Sequence, residues 1–449
     1  MLLLSGKKLQ LIQTNHMQTP QFLIGAASSG SGKTTFTLGL LRALRKRGMQ
    51  VQPFKCGPDY LDTKHHAAAA GRESYNLDSF MSSPEHIRKV YSRHSKDADV
   101  CITEGVMGLF DGYDNMRGSS AEIAGILDIP VILVINARSA AYTVAAILYG
   151  FKHFRPEVKI AGAIFNFVGS EAHYTYLQQA CQDTGIEALG YLPKCKDIEI
   201  PSRHLGLNID SEFCFDEFAD RIAAQVEQTV NINRLLEISQ KEKPLMAEEK
   251  NKTVKVPSLR ISVARDEAFN FYYPENIRIL ENMGHVTFFS PLNDPELPPS
   301  DLVYLPGGYP ELYLSRLSRN ENMRNSILQY CENDGHLLAE CGGMMYLGKS
   351  ILDTDGIPHP VCGFLPQSAT MENMKLRLGY RKVLYNGQTF YGHEFHYSRI
   401  IPGESPLLSV AKVLTAKNAE TDTPVYQLRN VTASYIHFYW AENGQLLNL

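Results

Sequence analysis

Phe22-Leu-Ile-Gly-Ala-Ala-Ser-Ser-Gly-Ser-Gly-Lys-Thr-Thr35 joins an apolar run to a glycine- and serine-rich turn that ends in a lysine and two threonines. From Thr35 to Lys46 the apolar residues recur at helical spacing, and Gly48 supplies the stop. A turn of this kind, set between a strand and a helix, closes backbone N–H groups around phosphate oxygens at positions where a Cβ would intrude. Its lysine reaches the outer phosphates and its hydroxyl serves a magnesium ion. Gly30, Gly32, Lys33 and Thr34 fill those roles, with Thr35 beside them on the nucleotide. The strict spacing G-x-x-x-x-G-K-[ST] would put a glycine at Ala27, so the loop is a variant, and its strand–loop–helix setting distinguishes it from a chance turn.

Working outward, Val51 to Phe54, Val100 to Thr103, Val131 to Ile135 and Ile160 to Phe165 are further apolar runs separated by helical patterns. Strands buried on both faces read as continuous apolar segments, and their alternation with helices predicts a doubly wound, parallel α/β domain. The stretch from Gln240 to Pro257 is charged and poor in β-branched and aromatic residues, which predicts a linker. Beyond it, Leu259 to Val263, Val286 to Phe289, Leu302 to Leu305 and His336 to Ala339 repeat the strand–helix theme, so the second domain is α/β as well. The expected division is an extension over 1–20, a nucleotide domain over 21–239, a linker over 240–257 and a second domain over 258–449.

Composition narrows the partners. A chain of 449 residues suits two or three domains at about 150 residues each. The net charge of −4 comes without a basic run, so nucleic acid and anionic membrane are poor expectations and small molecules better ones. The eight cysteines are scattered, with no CxxC pair and no zinc spacing, which points to reduced thiols and the cytoplasm. No apolar run reaches the ~20 residues of a membrane helix.

Open α/β sheets bind ligands beyond the carboxyl ends of their strands. Glu104 ends one strand, Asp111 follows it in Glu104-Gly-Val-Met-Gly-Leu-Phe-Asp111, and Asp59 and Asp62 follow another in Gly57-Pro-Asp-Tyr-Leu-Asp62. Single loop acids are usually just solvated, but two groups at neighbouring strand ends on the phosphate side suggest oxygen ligands for Mg²⁺ or a substrate. Asn166, closing a strand, has the donor and acceptor to read an adenine edge, or simply caps the strand.

Far downstream stands Leu337-Leu-Ala-Glu-Cys-Gly-Gly-Met-Met-Tyr-Leu347. A cysteine on a strand-to-helix turn exposes a nucleophile and aims the N–H groups after it, here Gly342, at a developing oxyanion. Leu305-Pro-Gly-Gly308 follows another strand and offers a second N–H at Gly308. His437, in the β-like run Ala433 to Tyr439, is the expected base, although a buried structural thiol and a strand histidine are the commoner fates of such residues. A phosphate cradle and a cysteine hydrolase site in one chain suggest coupled chemistry. One site activates a carboxylate as an acyl phosphate, and the other frees ammonia from glutamine.

Several strings resemble those of the cobyrinate a,c-diamide synthase family. They are Gly57 to Asp62, Asn76-Leu-Asp-Ser-Phe-Met81, Glu104 to Gly112, Leu305 to Glu311, Ala339 to Leu347, Leu378-Gly-Tyr-Arg381 and Gly392-His-Glu-Phe-His-Tyr-Ser398, and the resemblance runs from about residue 21 to about residue 442. It implies a dethiobiotin synthetase-like domain followed by a class I glutamine amidotransferase domain. It also implies a ligase that amidates two acetates of a corrinoid with ATP, Mg²⁺ and L-glutamine. Cys341 would then be the nucleophile and His437 its base. Lys33 and Thr34 would sit on the phosphates, with Thr34 and Glu104 at the metal. Asp62, Glu104 and Asp111 would act around the activated carboxylate, and Asp59, Tyr60 and Leu61 would contact substrate. The glutamate usual two residues after the histidine is here Tyr439, so some other group must orient His437. Arg203 and His204 match a family stretch without an assigned role. Hydrogenobyrinate and nickel sirohydrochlorin are alternative substrates, a switch ATPase is an alternative of another class, and the reading leaves room for a homodimer.

Overall fold

The computed structural model describes residues 18–194, 214–242 and 259–445. Arg203 and His204 lie outside them. The first domain is built on β1 (Gln18–Ala26), β2 (Val51–Cys56), β3 (Tyr75–Leu77), β4 (Val100–Glu104), β5 (Val131–Asn136), β6 (Ile160–Val168) and β7 (Glu187–Pro193), in the spatial order β3-β2-β4-β1-β5-β6-β7. All of these neighbours pair in parallel. Successive side chains of a strand point to opposite faces. Phe22 and Ile24 accordingly enter one core with Leu40, Leu41 and Ile222, while Leu23 enters the other with Phe54, Tyr91 and Leu133. Helices therefore cover both faces, as the unbroken apolar runs predict. β1 lies between β4 and β5, so the chain leaves it in opposite directions on its two sides and opens a crevice at its carboxyl end.

Gln240–Glu242 is a further strand, antiparallel to Gln18–Pro20. This corrects both expected boundaries, since the extension over 1–20 and the linker from 240 each contribute residues to the sheet. Polar side chains do not prevent edge pairing, because the backbone supplies the hydrogen bonds.

The second domain centres on a sheet ordered Gly284–Phe289, Leu259–Ala264, Leu302–Leu305, His336–Glu340, Val431–Ser434 and Val425–Leu428, parallel except for the last pair. Two smaller sheets flank it, and one of them joins Lys412–Thr415, Arg377–Tyr385, Gln388–His396 and Ile436–Phe438 in antiparallel pairs. The β-like run from Ala433 to Tyr439 therefore divides at Tyr435 between two sheets. Among the described residues, no helix is long and apolar enough to cross a membrane.

The domains meet through a hydrophobic cluster of Met81 and the aromatic side chains of Tyr60, Phe80, Phe271, Tyr273, Tyr309 and Tyr439. Each of these follows the carboxyl end of a strand, so the loops that carry both sites are the ones in contact. Polar bonds tie the same seam: Tyr380 donates to Asp78 at 2.6 Å, His86 pairs with the Tyr439 hydroxyl at 2.8 Å, and buried Glu275 receives Arg93 at 2.8 Å and His94 at 2.6 Å.

Candidate active sites at the two sets of strand ends

The phosphate loop lies between β1 and α1 (Lys33–Lys46), with Gly30 and Gly32 at φ of 75° and 92°, where other L-residues are strained. Gly32 is also needed for space, because a Cβ there would stand 1.9 Å from Asn166 Nδ2. Asn166 donates to the Ser31 carbonyl at 3.1 Å and accepts from its neighbour Phe167 N–H at 2.9 Å. The amide expected at an adenine edge thus braces the loop from the tip of β6.

Lys33 donates to the Met107 carbonyl at 2.6 Å. Burial holds its ammonium below the usual lysine range, against the opposing pull of Glu104. Thr34 Oγ1 donates to Glu104 Oε1 at 2.7 Å. Glu104 is fully buried at the end of β4 and takes two more contacts, from Lys55 Nζ at 2.8 Å and His66 Nε2 at 2.7 Å. Burial is the largest influence and works to raise its carboxyl, but Lys55 and His66 together hold it below the usual carboxylate range. Lys55 also pairs with Asp62 Oδ2 at 2.8 Å, and burial alone would neutralise that ammonium if the two acids did not hold it charged. Asp59 caps α2 (Tyr60–Ala70), accepting from the Leu61 and Asp62 amides at 2.9 and 2.8 Å. Burial, and then Asp62, raises its own carboxyl.

The structure thus gathers Lys33, Thr34, Asp62 and Glu104, with Asp59 one helical turn from Asp62. Asp111 is exposed at the mouth, where its Oδ2 accepts from Gly108 N at 3.0 Å. It still raises the Lys33 ammonium through space. Sequence reasoning missed Lys55 and His66. A lysine inside the apolar run Val51–Cys56 requires a buried counter-charge, and His66 stands four residues after Asp62 on one helix face, so both left a signal.

At the second site Cys341 sits at φ 47° and ψ −108°, a strained elbow between strand and helix, with its N–H donated to Ser434 O at 2.7 Å. Gly343 has no room for a Cβ, which would stand 2.2 Å from Leu305 O. A Cβ on Gly342 would stand 3.2 Å from Gly308 N, so the two expected oxyanion donors adjoin. Behind the elbow, Glu340 accepts from the Tyr304 hydroxyl at 2.7 Å and from Phe438 N at 3.1 Å, and burial pushes its carboxyl up to about 8. This bond ties the residue before Cys341 to the residue after His437.

His437 is buried against the oxyanion loop, where a Cβ on Gly307 would meet its Cε1 at 2.2 Å. Its ring stacks on His393 at 4.9 Å, and among the described residues neither ring nitrogen has a hydrogen-bond partner. The Cys341 thiol instead faces the Phe395 carbonyl at 3.7 Å. Burial, then Glu311, pushes the thiol well above its usual range, and burial, then His393, pushes the imidazole well below. Both shifts favour the neutral forms, thiol and imidazole, and no hydrogen bond joins the two groups. Such contacts commonly tighten only when substrate is bound. Tyr439 does not orient His437, since its hydroxyl is engaged by His86.

The string Gly392 to Ser398, quoted without roles above, runs beside this site. His393 pairs with His437 across the strands, and Glu394 gathers Arg381, His396 and Thr423, each at 2.7 Å. Tyr60 and Leu61 belong to the domain seam, where the Tyr60 ring lies 5.2 Å from that of His437. Among the described residues, no group of three His, Cys, Asp or Glu side chains is placed to hold a metal alone.

Two family models match the chain, a CobQ/CobB/MinD/ParA nucleotide binding domain over residues 22–207 and a CobB/CobQ-like glutamine amidotransferase domain over residues 260–445. These are the halves that hold the phosphate loop and the cysteine elbow. Cobyrinate a,c-diamide synthase of Salmonella typhimurium is 39% identical over 441 residues, covering 95% of this chain and 96% of that protein. The protein of the same name from Listeria innocua is 38% identical, covering 95% and 98%. That from Caldanaerobacter subterraneus is 41% identical, covering 84% and 86%. With both sites in place and likeness of this extent over nearly its whole length, the chain belongs to the cobyrinate a,c-diamide synthase family.

Proposed function

We propose that the chain converts the a- and c-acetate carboxylates of cobyrinate to amides, using ATP and ammonia drawn from glutamine, as a step of cobalamin biosynthesis. The observation that carries this reading is that Tyr60, from the segment of Asp59 and Asp62, packs in one domain seam with Tyr309 and Tyr439, from the loops beside the cysteine elbow and His437. Carboxylate and ammonia form an unreactive salt at neutral pH, so the oxygen must first become a leaving group. Transfer of the γ-phosphoryl group of ATP to the acetate gives an acyl phosphate and ADP. Ammonia then attacks the acyl carbon, the bond to the phosphate oxygen breaks, and an amide and inorganic phosphate result. Lys33 neutralises phosphate charge in the first step. Thr34 and Glu104 would hold Mg²⁺: their oxygens stand 2.7 Å apart beside the cradle, and magnesium takes few protein oxygens besides phosphates and water. The ion's contribution is to offset phosphate charge. Asp62 and Asp111 would steer the acetate.

At the other site, His437 takes the Cys341 proton as sulfur attacks the side-chain amide carbon of glutamine, with Gly308 and Gly342 N–H groups receiving the oxyanion. His437 returns that proton to the departing ammonia, and water then cleaves the thioester to glutamate and restores the thiol. A glutaminase domain on the same chain argues against a pure switch ATPase. The described cysteines are all free thiols, in keeping with a cytoplasmic enzyme.

Incubation with cobyrinate, hydrogenobyrinate or nickel sirohydrochlorin, each with ATP, Mg²⁺ and glutamine, followed by mass analysis, tests the substrate. Diamide from cobyrinate is expected. Product from another macrocycle alone overturns that assignment, and ATP hydrolysis without glutaminase activity would favour the switch.

A further inference from the structure

We infer that Tyr60, a residue of the nucleotide-binding domain, is the positioning residue of the glutaminase histidine, holding the His437 ring from across the domain seam. The inference rests on reading Cys341 and His437 as the glutaminase pair. A catalytic imidazole is normally fixed by a hydrogen bond to its far nitrogen, but among the described residues neither nitrogen of His437 has one. The nearest sequence candidate, Tyr439, is spent on His86. What surrounds the ring is packing: Gly307 against its edge, His393 stacked at 4.9 Å, and Tyr60 at 5.2 Å with 54° between planes.

Tyr60 is itself held firmly. It is buried, lies flat on Phe271 at 5.4 Å and 7°, and touches Tyr273 at 4.8 Å and His393 at 5.4 Å. Among the described residues its hydroxyl makes no hydrogen bond to His437, so the ring does the positioning. On its other side it opens α2, whose cap is Asp59 and whose Asp62 is pinned to Lys55 beside Glu104. The glutaminase histidine is therefore braced by a residue whose own place is set by the groups of the phosphate site. Ammonia release would then depend on the docked synthetase domain, which is where the ammonia is consumed.

The test compares glutamine- and ammonium-dependent amidation, and glutaminase kinetics, in full-length variants. Tyr60→Ala should lower the ratio of glutamine- to ammonium-dependent rate at least about tenfold, because small misplacement of a catalytic group costs that much or more. The loss should lie in glutaminase kcat rather than in KM for glutamine. Tyr60→Phe, which keeps the ring, should restore the parent ratio. If Tyr60→Ala melts early, Tyr60→Leu, which keeps most of the buried volume, carries the test with the same expectation. An unchanged ratio, equal loss from both nitrogen sources, or failure of phenylalanine to rescue overturns the inference. Cys341→Ala run alongside separates the two claims. Retained glutaminase in it refutes the Cys341 reading, whereas its loss together with an unchanged Tyr60→Ala ratio refutes only the role of Tyr60.

Discussion

Replacing Lys55 with methionine keeps the stem and removes the charge from the most buried ionic cluster of the first domain. Lys55 Nζ stands 2.8 Å from both Asp62 and Glu104 and 3.2 Å from the Gly105 carbonyl, and Glu104 is fully buried. Breaking a buried pair from one side typically costs about 3–5 kcal/mol, and each kcal/mol moves the melting temperature of a domain this size by roughly 2–4 °C, so a fall of roughly 6–20 °C is expected near neutral pH. The pH dependence has a definite sign. In the parent, the depressed Glu104 carboxyl contributes stability above the unfolded carboxylate range that is lost as pH falls through the folded value. Without Lys55, burial dominates and the carboxyl rises, so its contribution is present at low pH and lost as pH increases through the raised value. The gap between parent and variant should therefore narrow from about pH 7.5 to about pH 5. Thermal unfolding followed by circular dichroism at both pH values, without nucleotide, is the assay. A variant that melts within about 2 °C of the parent at neutral pH, or a gap that widens in acid, would refute the reasoning.

Lys33→Ala should abolish amidation from glutamine and from ammonium alike while leaving the second domain folded, and surviving ammonium-dependent synthesis would contradict the phosphate-loop assignment. Gly307→Ala sets a methyl 2.2 Å from His437 Cε1, so glutaminase should fall by about 10²-fold while ammonium-dependent synthesis persists; a parental glutaminase rate would show that His437 is not the base. On the proposal that two acetates occupy one site in turn, Asp62→Asn, Glu104→Gln or Asp111→Asn should impair synthesis, and at least one should slow the second amidation more than the first. Mass analysis over time should then show a monoamide, and parental rates with no monoamide would mark these carboxylates as mere surface.

The features readable in the sequence are those made by local spacing. The loop from Ala27 to Lys33 needs glycines, a lysine and a flanking strand and helix within a few residues, and Cys341 needs only a strand before it and Gly342-Gly343 after it. The parallel strands are readable because burial on both faces leaves unbroken apolar runs. What the sequence conceals is made by contacts between distant segments. Lys55 is visibly out of place in an apolar strand, but its two acids come from a different helix and strand. Gln240–Glu242 looks like solvated linker, since only backbone groups join it to β1. Tyr60 reads as part of a substrate loop, and only the docking of the domains sets its ring against His437.

The central claim is that ammonia made at Cys341 is consumed at the phosphate site of the same chain. It is tested by supplying cobyrinate, ATP, Mg²⁺ and glutamine labelled with ¹⁵N in the side-chain amide to the parent and to Cys341→Ala, and weighing the corrinoid product. The parent should give a diamide with heavy nitrogen in both amides, and Cys341→Ala should give none from glutamine yet make the diamide from ammonium. Unlabelled amide in the parent, or labelled amide in the variant, would contradict the account.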